Sequence, residues 1–109
     1  MAAEWTYYVS YSPALITVHV GKRGKATDEN VRATKEFGVS IAAEDQNVIA
    51  SIAGGSSGKD VDKIGLLKEY GTKFYKAKKI NALMVEDAAL NAECRLKEIH
   101  DLGDHWMFV

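Results

Sequence analysis

The sequence predicts one small α+β domain, mainly β with helices inserted in its middle, built as a small barrel. Three observations carry that expectation. Alternating, β-branched and aromatic segments stand at both ends of the chain, short capped helical stretches stand between them, and two of the joins are short enough for hairpins. Strands separated by regular crossover helices, the mark of a doubly wound sheet, are missing.

The elements follow in order. Glu4 to Ser10 and Ala14 to Val20 read as two strands around the turn Tyr11-Ser12-Pro13, the second alternating Ile16, Val18 and Val20 against Leu15, Thr17 and His19. Thr27 is a favoured N-cap residue, with Asp28 and Glu29 suited to the first turn of a helix running to about Lys35. Phe37 to Ala42 returns to a strand. Glu44 to Ala53 sets Val48, Ile49 and Ile52 at helical spacing before Gly54 stops it, and Asp62 caps another short helix ending at Gly71. Leu90, Ala92, Cys94 and Leu96 then fall on one face of a strand, Asp101 to Asp104 turns, and His105 to Val109 closes the sheet.

Composition narrows the function. With 109 residues, nearly half of them apolar, the chain can build one core. Lys plus Arg number 14 against 15 Asp plus Glu, which argues against broad nucleic-acid or membrane-surface binding and leaves local charge as the electrostatic signal. A lone cysteine, Cys94, makes no internal disulfide and has no neighbouring base, so it reads as a core thiol. With no apolar run long enough to span a bilayer and no basic-then-apolar leader, the expected compartment is the cytoplasm.

The segment Arg23 to Ser40, RGKATDENVRATKEFGVS, carries the clearest chemistry. Helix N-terminal amides lack intrahelical acceptors and sit at the positive end of the helix dipole, so they can receive an anion, with Arg23 and Lys25 facing it. The same residues would also begin an ordinary surface helix, whose acids repel phosphate. GGSSGKD is flexible but is not a nucleoside-triphosphate loop, because Ala53 stands where the motif needs its first glycine. His19, His100 and His105 show no metal-ligand spacing; Gly103-Asp104-His105 delivers an imidazole to the first position of a strand.

Four segments in order, EWTYYVSYSP, RGKATDENVRATKEFGVS, GGSSGKDVDKI and ECRLKEIHDLGDHWMFV, resemble the flavin reductase-like family, whose fold is an FMN-binding split β-barrel. The resemblance implies FMN as cofactor, NADH or NADPH as electron donor, and hydride transfer to the flavin and on to an acceptor. It implies a phosphate site of Arg23, Lys25, Thr27 and Asn30, with Asn30 at the third helical position. Ser10 and Ser12 would line the flavin ring, Asp62 and Lys63 match the family's pair after the glycine-rich loop, and His105 would stand where nicotinamide docks. Asp62 and Lys63 read equally well as an N-cap and a solvated charge.

Relative to the family, residues 1–109 form a single domain lacking the first and last strands, an incomplete barrel whose exposed edges favour a homodimer or higher oligomer. Three functions follow as expectations. They are a flavin reductase, a flavoredoxin-like electron carrier without nicotinamide chemistry, and a truncated domain with only an interaction role.

Overall fold

The computed structural model describes residues 1–109. Eight strands and three α-helices follow one another as β1 (Thr6–Tyr11), β2 (Ala14–Gly21), α1 (Ala26–Thr34), β3 (Glu36–Ile41), α2 (Asn47–Gly54), α3 (Lys63–Glu69), β4 (Phe74–Lys76), β5 (Leu83–Val85), β6 (Leu90–Arg95), β7 (Ile99–Asp101) and β8 (His105–Phe108). The chain is mainly β with helices in its middle, as its sequence leads one to expect.

The main sheet is four-stranded and antiparallel in the order β1-β2-β8-β7, with two-stranded ribbons β3-β6 and β4-β5 beside it; the sheets are not closed into a continuous barrel. In the β2–β8 register Val18 faces Phe108, Val20 faces Trp106 and Gly21 faces His105. Directly paired residues share a face and successive residues alternate. Val18, Val20, Trp106 and Phe108 therefore point to one side, while His19, Gly21 and His105 point to the other.

The first side is core. Val20, Phe108 and Val31 of α1 are buried together, with Phe37, Leu96 and Ile99 packed around them. Helix α1 ends where Lys35 adopts a left-handed conformation (φ 60°) and donates its N–H to the Val31 carbonyl, which turns the chain directly into β3. A smaller core of Ala77, Ile80 and Met84 lies under the β4–β5 hairpin. Only 9 of 109 residues are buried, so much apolar surface stays open, Tyr7, Tyr8, Val9 and Tyr11 of edge strand β1 above all.

Three details differ from the sequence reading. The helix expected over Glu44 to Ala53 breaks: Glu44–Gln46 is a 3-10 turn, because the buried Gln46 side chain accepts from the Ala43 N–H (2.9 Å) and donates to the Glu86 carbonyl (3.0 Å). The late strand stops at Arg95 and a separate β7 pairs with β8 across the Leu102–Asp104 turn, where Gly103 has φ 88°. The β4–β5 hairpin was not expected, and its connecting turn is held from outside. Glu93 of β6 accepts backbone N–H groups from Lys78 (3.1 Å), Lys79 (2.5 Å) and Ile80 (3.3 Å), and Glu36 of β3 accepts from Asn81 (3.0 Å).

Those hydrogen bonds, the one from Lys79 foremost, hold the Glu93 carboxyl below the usual carboxylate range. A depressed folded-state pKa contributes stability that is full above the ordinary carboxylate value and is lost as pH falls through the folded value. Thermal unfolding should therefore lose stability as pH falls below about 5, and Glu93→Gln should be less stable at neutral pH yet lose less on acidification. Parallel acid profiles for the two proteins would contradict this assignment. At Gly38, paired with Glu93 across the ribbon, an added Cβ would lie 2.6 Å from Sδ of the fully buried Met84. Gly38→Ala should cost about 1–3 kcal/mol in denaturant unfolding, because a filled site must shift to admit a methyl group.

Candidate flavin and nucleotide cavity

On the other side of the main sheet lies a cavity of about 610 Å³. Its sheet wall is His19 and Gly21 of β2 and His105 at the start of β8; the segment Met1 to Trp5 forms a second wall. The polar end is made by Lys25 and the first turns of α1, by the Gly54–Gly58 loop after α2, and by Asp62 and Lys63 at the start of α3. Gly24, at φ 59°, makes the tight turn that swings the chain from β2 into α1 and brings the helix N-terminus to this cavity.

The N-terminus of α1 begins two residues earlier than its sequence suggests. Lys25, not Thr27, is the N-cap; its backbone is extended, and no side chain caps the helix. Thr27 is already inside the first turn, and Asn30 is the fifth helical residue rather than the third. A capping role for Thr27 is thereby corrected. The cause is local, since the chain closes its first helical bond from the Glu29 N–H to the Lys25 carbonyl (3.4 Å), which draws Ala26 into the helix. First-turn amides without a side-chain acceptor remain available to a ligand.

The two acids that would repel an anion there are neutralised. Asp28 accepts from Arg32 Nε at 2.5 Å, one helical turn on, and Glu29 pairs with Lys59 Nζ at 2.6 Å, which also ties the glycine-rich loop to α1. Arg32 in turn lies over the Trp106 ring, 4.5 Å from its centroid, and so belongs to the core side. Lys25, Thr27, Asn30, Asp62 and Lys63 meet at the polar end. Arg23, Ser10 and Ser12 do not line the cavity. Ser10 pairs with Leu15 in the β1–β2 hairpin, Ser12 is in its exposed turn, and the Arg23 charge acts on Asp104 at the rim.

Asp62 and Lys63 have structural duties as well. Asp62 caps α3, its Oδ1 accepting from the Gly65 N–H (3.1 Å), and Lys63 Nζ donates to the Ala53 carbonyl at the end of α2 (2.6 Å). Replacing Asp62 with alanine should cost about 1 kcal/mol of stability and Asp62→Asn only a few tenths, since asparagine caps almost as well; chemical denaturation of the three proteins measures it.

The opposite end is aromatic. The Trp5 ring centroid lies 4.5 Å from that of His105, tilted by 45°, and 6.3 Å from that of His19, edge-on. The Trp5 carbonyl accepts both the His19 N–H (3.1 Å) and His19 Nδ1–H (3.0 Å), which fixes the indole against β2. His105 Nδ1 donates to Asp104 Oδ1 at 2.7 Å, and that bond holds the Asp104 carboxyl below its usual range. With Nδ1 committed, Nε2 is the imidazole nitrogen left for a ligand. His19 escaped the sequence reading of the site. Its signal was present in the alternation, which puts His19 and Gly21 opposite Val18 and Val20. Cys94 lies elsewhere, in β6; burial pushes its thiol up and away from the reactive thiolate.

A family model described as the flavin reductase like domain matches residues 1–109. The chain belongs to the flavin reductase-like family. An uncharacterized protein of Pyrococcus abyssi is 27% identical over 109 residues, which are 100% of this chain and 60% of that protein. Flavoredoxin from Methanosarcina acetivorans is 27% identical with a TM-score of 0.85, over 99% of this chain and 55% of its own. An FMN-binding protein from Thermus thermophilus, crystallised with 1-cyclohex-2-enone, is 24% identical with a TM-score of 0.83, over 97% of this chain and 55% of its own. The fold is thus that of the flavin reductase-like split barrels, and the chain spans little more than half the length of these relatives. No helix is long and apolar enough to cross a membrane.

Proposed function

We propose that this chain binds FMN in the 610 Å³ cavity and serves as a flavin-dependent oxidoreductase of the flavin reductase type. One observation carries the reading: an uncapped helix N-terminus with Lys25, Thr27 and Lys63 shares a single cavity with the aromatic group Trp5, His19 and His105. Anion-binding amides at one end and flat aromatic rings at the other match a phosphorylated ring system. The donor set fits, because Asp28 and Glu29 are paired away and leave the amides and lysines to meet the phosphate.

In this reading Lys25, the Thr27 hydroxyl, the Asn30 amide and the first-turn amides hold the phosphate, with Lys63 and Ser57 closing the polar end. Trp5 and His19 flank the ring end, and His105, oriented by Asp104, presents Nε2 to the ring or to the electron donor. FMN supplies the chemistry when bound, accepting a hydride from NADH or NADPH and releasing electrons to an acceptor. The protein orients the ring and limits access of water. The open aromatic edge of β1, with Tyr11 92% exposed, supports a homodimer.

A second reading, an electron carrier like the similar flavoredoxin, is favoured by Trp5, whose ring already occupies a face of His105 that a nicotinamide would use. FMN titration with NADH and NADPH oxidation assays separates the two. Lys25→Ala and Thr27→Ala should each weaken FMN, a lost charge-assisted hydrogen bond costing about 1.5–3 kcal/mol, or on the order of ten- to a hundredfold in Kd. His105→Ala should leave FMN affinity within about threefold and abolish nicotinamide oxidation. Tight, mutation-sensitive FMN binding without nicotinamide oxidation by the parent protein selects the carrier. Unchanged FMN affinity in both polar-end variants removes the site.

A further inference from the structure

Helices α2 and α3 wall two cavities at once. Their Ala53–Gly54 and Lys63–Ile64 ends close the cavity described above, and their other ends open a second one of about 480 Å³ that faces away from it in the helix pair. The floor of this second cavity is apolar: Val48, Ile49 and Ile52 of α2 meet Leu67 and Tyr70 at the end of α3. Helix α2, NVIASIAG, is almost wholly apolar, yet none of its residues is buried, and Val48 and Tyr70 are 53% and 69% exposed. That surface is unfavourable in water and is relieved by an apolar occupant.

The rim selects the charge of that occupant. Asp45, Glu86 and Asp87 stand around the floor with Lys73 as the one cation, and none of the four belongs to an ion pair. Three carboxylates against one ammonium leave the rim net negative. It is also held in place: the buried Gln46 side chain donates to the Glu86 carbonyl (3.0 Å) while accepting from Ala43, and the Glu86 N–H donates to the Lys73 carbonyl (2.9 Å). The volume is that of a small-molecule site rather than of a macromolecular interface.

We propose that this groove binds a small organic cation with an apolar body, of the arylalkylammonium class. The hydrocarbon lies on Val48, Ile49, Ile52 and Leu67, and the ammonium meets the Glu86 and Asp87 carboxylates beside the Tyr70 ring, whose face attracts a cation. The site is separate from FMN binding and stands whether or not the flavin reading does.

Titration of the full chain with 2-phenylethylammonium, followed by amide chemical shifts, tests it against 2-phenylethanol and phenylacetate as neutral and anionic counterparts. Saturable shifts should cluster at residues 45–52, 67–73 and 86–87, with the amine binding about tenfold tighter than the alcohol and the acid weaker still. Glu86→Gln with Asp87→Asn should raise the amine Kd about fivefold or more, Asn being tolerated at the φ of 59° that Asp87 adopts, and leave FMN affinity unchanged. Tyr70→Ala should weaken the amine more than the alcohol, because only the cation loses its attraction to the ring face. Equal affinity for the three probes overturns the proposal, as does the absence of saturable shifts in protein whose spectrum shows it folded.

Discussion

Everything in this structure depends on the pairing of β2 with β8, which joins residues 18–21 to residues 105–108. The register of that pair decides two things together. It directs Val18, Val20, Trp106 and Phe108 into the core with Val31, and it directs His19, Gly21 and His105 into the cavity. A slip of one residue would exchange the faces and put imidazoles in the core and valines in the cavity. Core formation therefore fixes site geometry, and the site needs no separate device to bring residues from opposite ends of the chain together.

Around that sheet the helices divide the electrostatic work. Helix α1 gives its buried Val31 to the core and its uncapped N-terminus to the cavity, while its first-turn acids are drawn off by Arg32 and Lys59. Without those pairs the carboxylates would oppose the anion that the amides attract. The Lys63–Ala53 hydrogen bond ties α2 to α3 at the cavity end, and no residue of α2 is buried, so that helix pair is anchored at one end and open at the other. The same division that builds the cavity thus leaves the second groove.

The fold was legible where alternation and turn residues agree, and illegible where long-range hydrogen bonds decide. Strands β1, β2, β3, β6 and β8 could be read because β-branched and aromatic residues alternate between turns at Pro13 and Gly103. The β4–β5 hairpin could not, since its three-residue strands are joined by a lysine-rich turn whose amides are held by Glu93 and Glu36, distant in sequence. Of the site, the anion end was visible in composition, but Thr27 looked like a cap because nothing local reveals that Lys25 and Glu29 close the first helical bond. Arg23 belongs to the same basic run as Lys25, yet the turn at Gly24 sends it to Asp104 and outside the cavity. Alternation already set His19 on the face opposite Val18 and Val20, but its place beside Trp5 and on the face of His105 comes from strand pairing, which the sequence does not display.

The central claim is that the uncapped amides of α1 and the lysines beside them bind the phosphate of a flavin whose ring lies toward Trp5 and His105. Fluorescence titration of the unmodified chain with FMN and, in parallel, riboflavin tests it most directly, because the two ligands share the ring and differ by the phosphate. A site built on those amides requires FMN to bind at least about tenfold more tightly than riboflavin, with the difference shrinking as salt is added. Equal affinities, or saturable binding of neither by the folded chain, would contradict it.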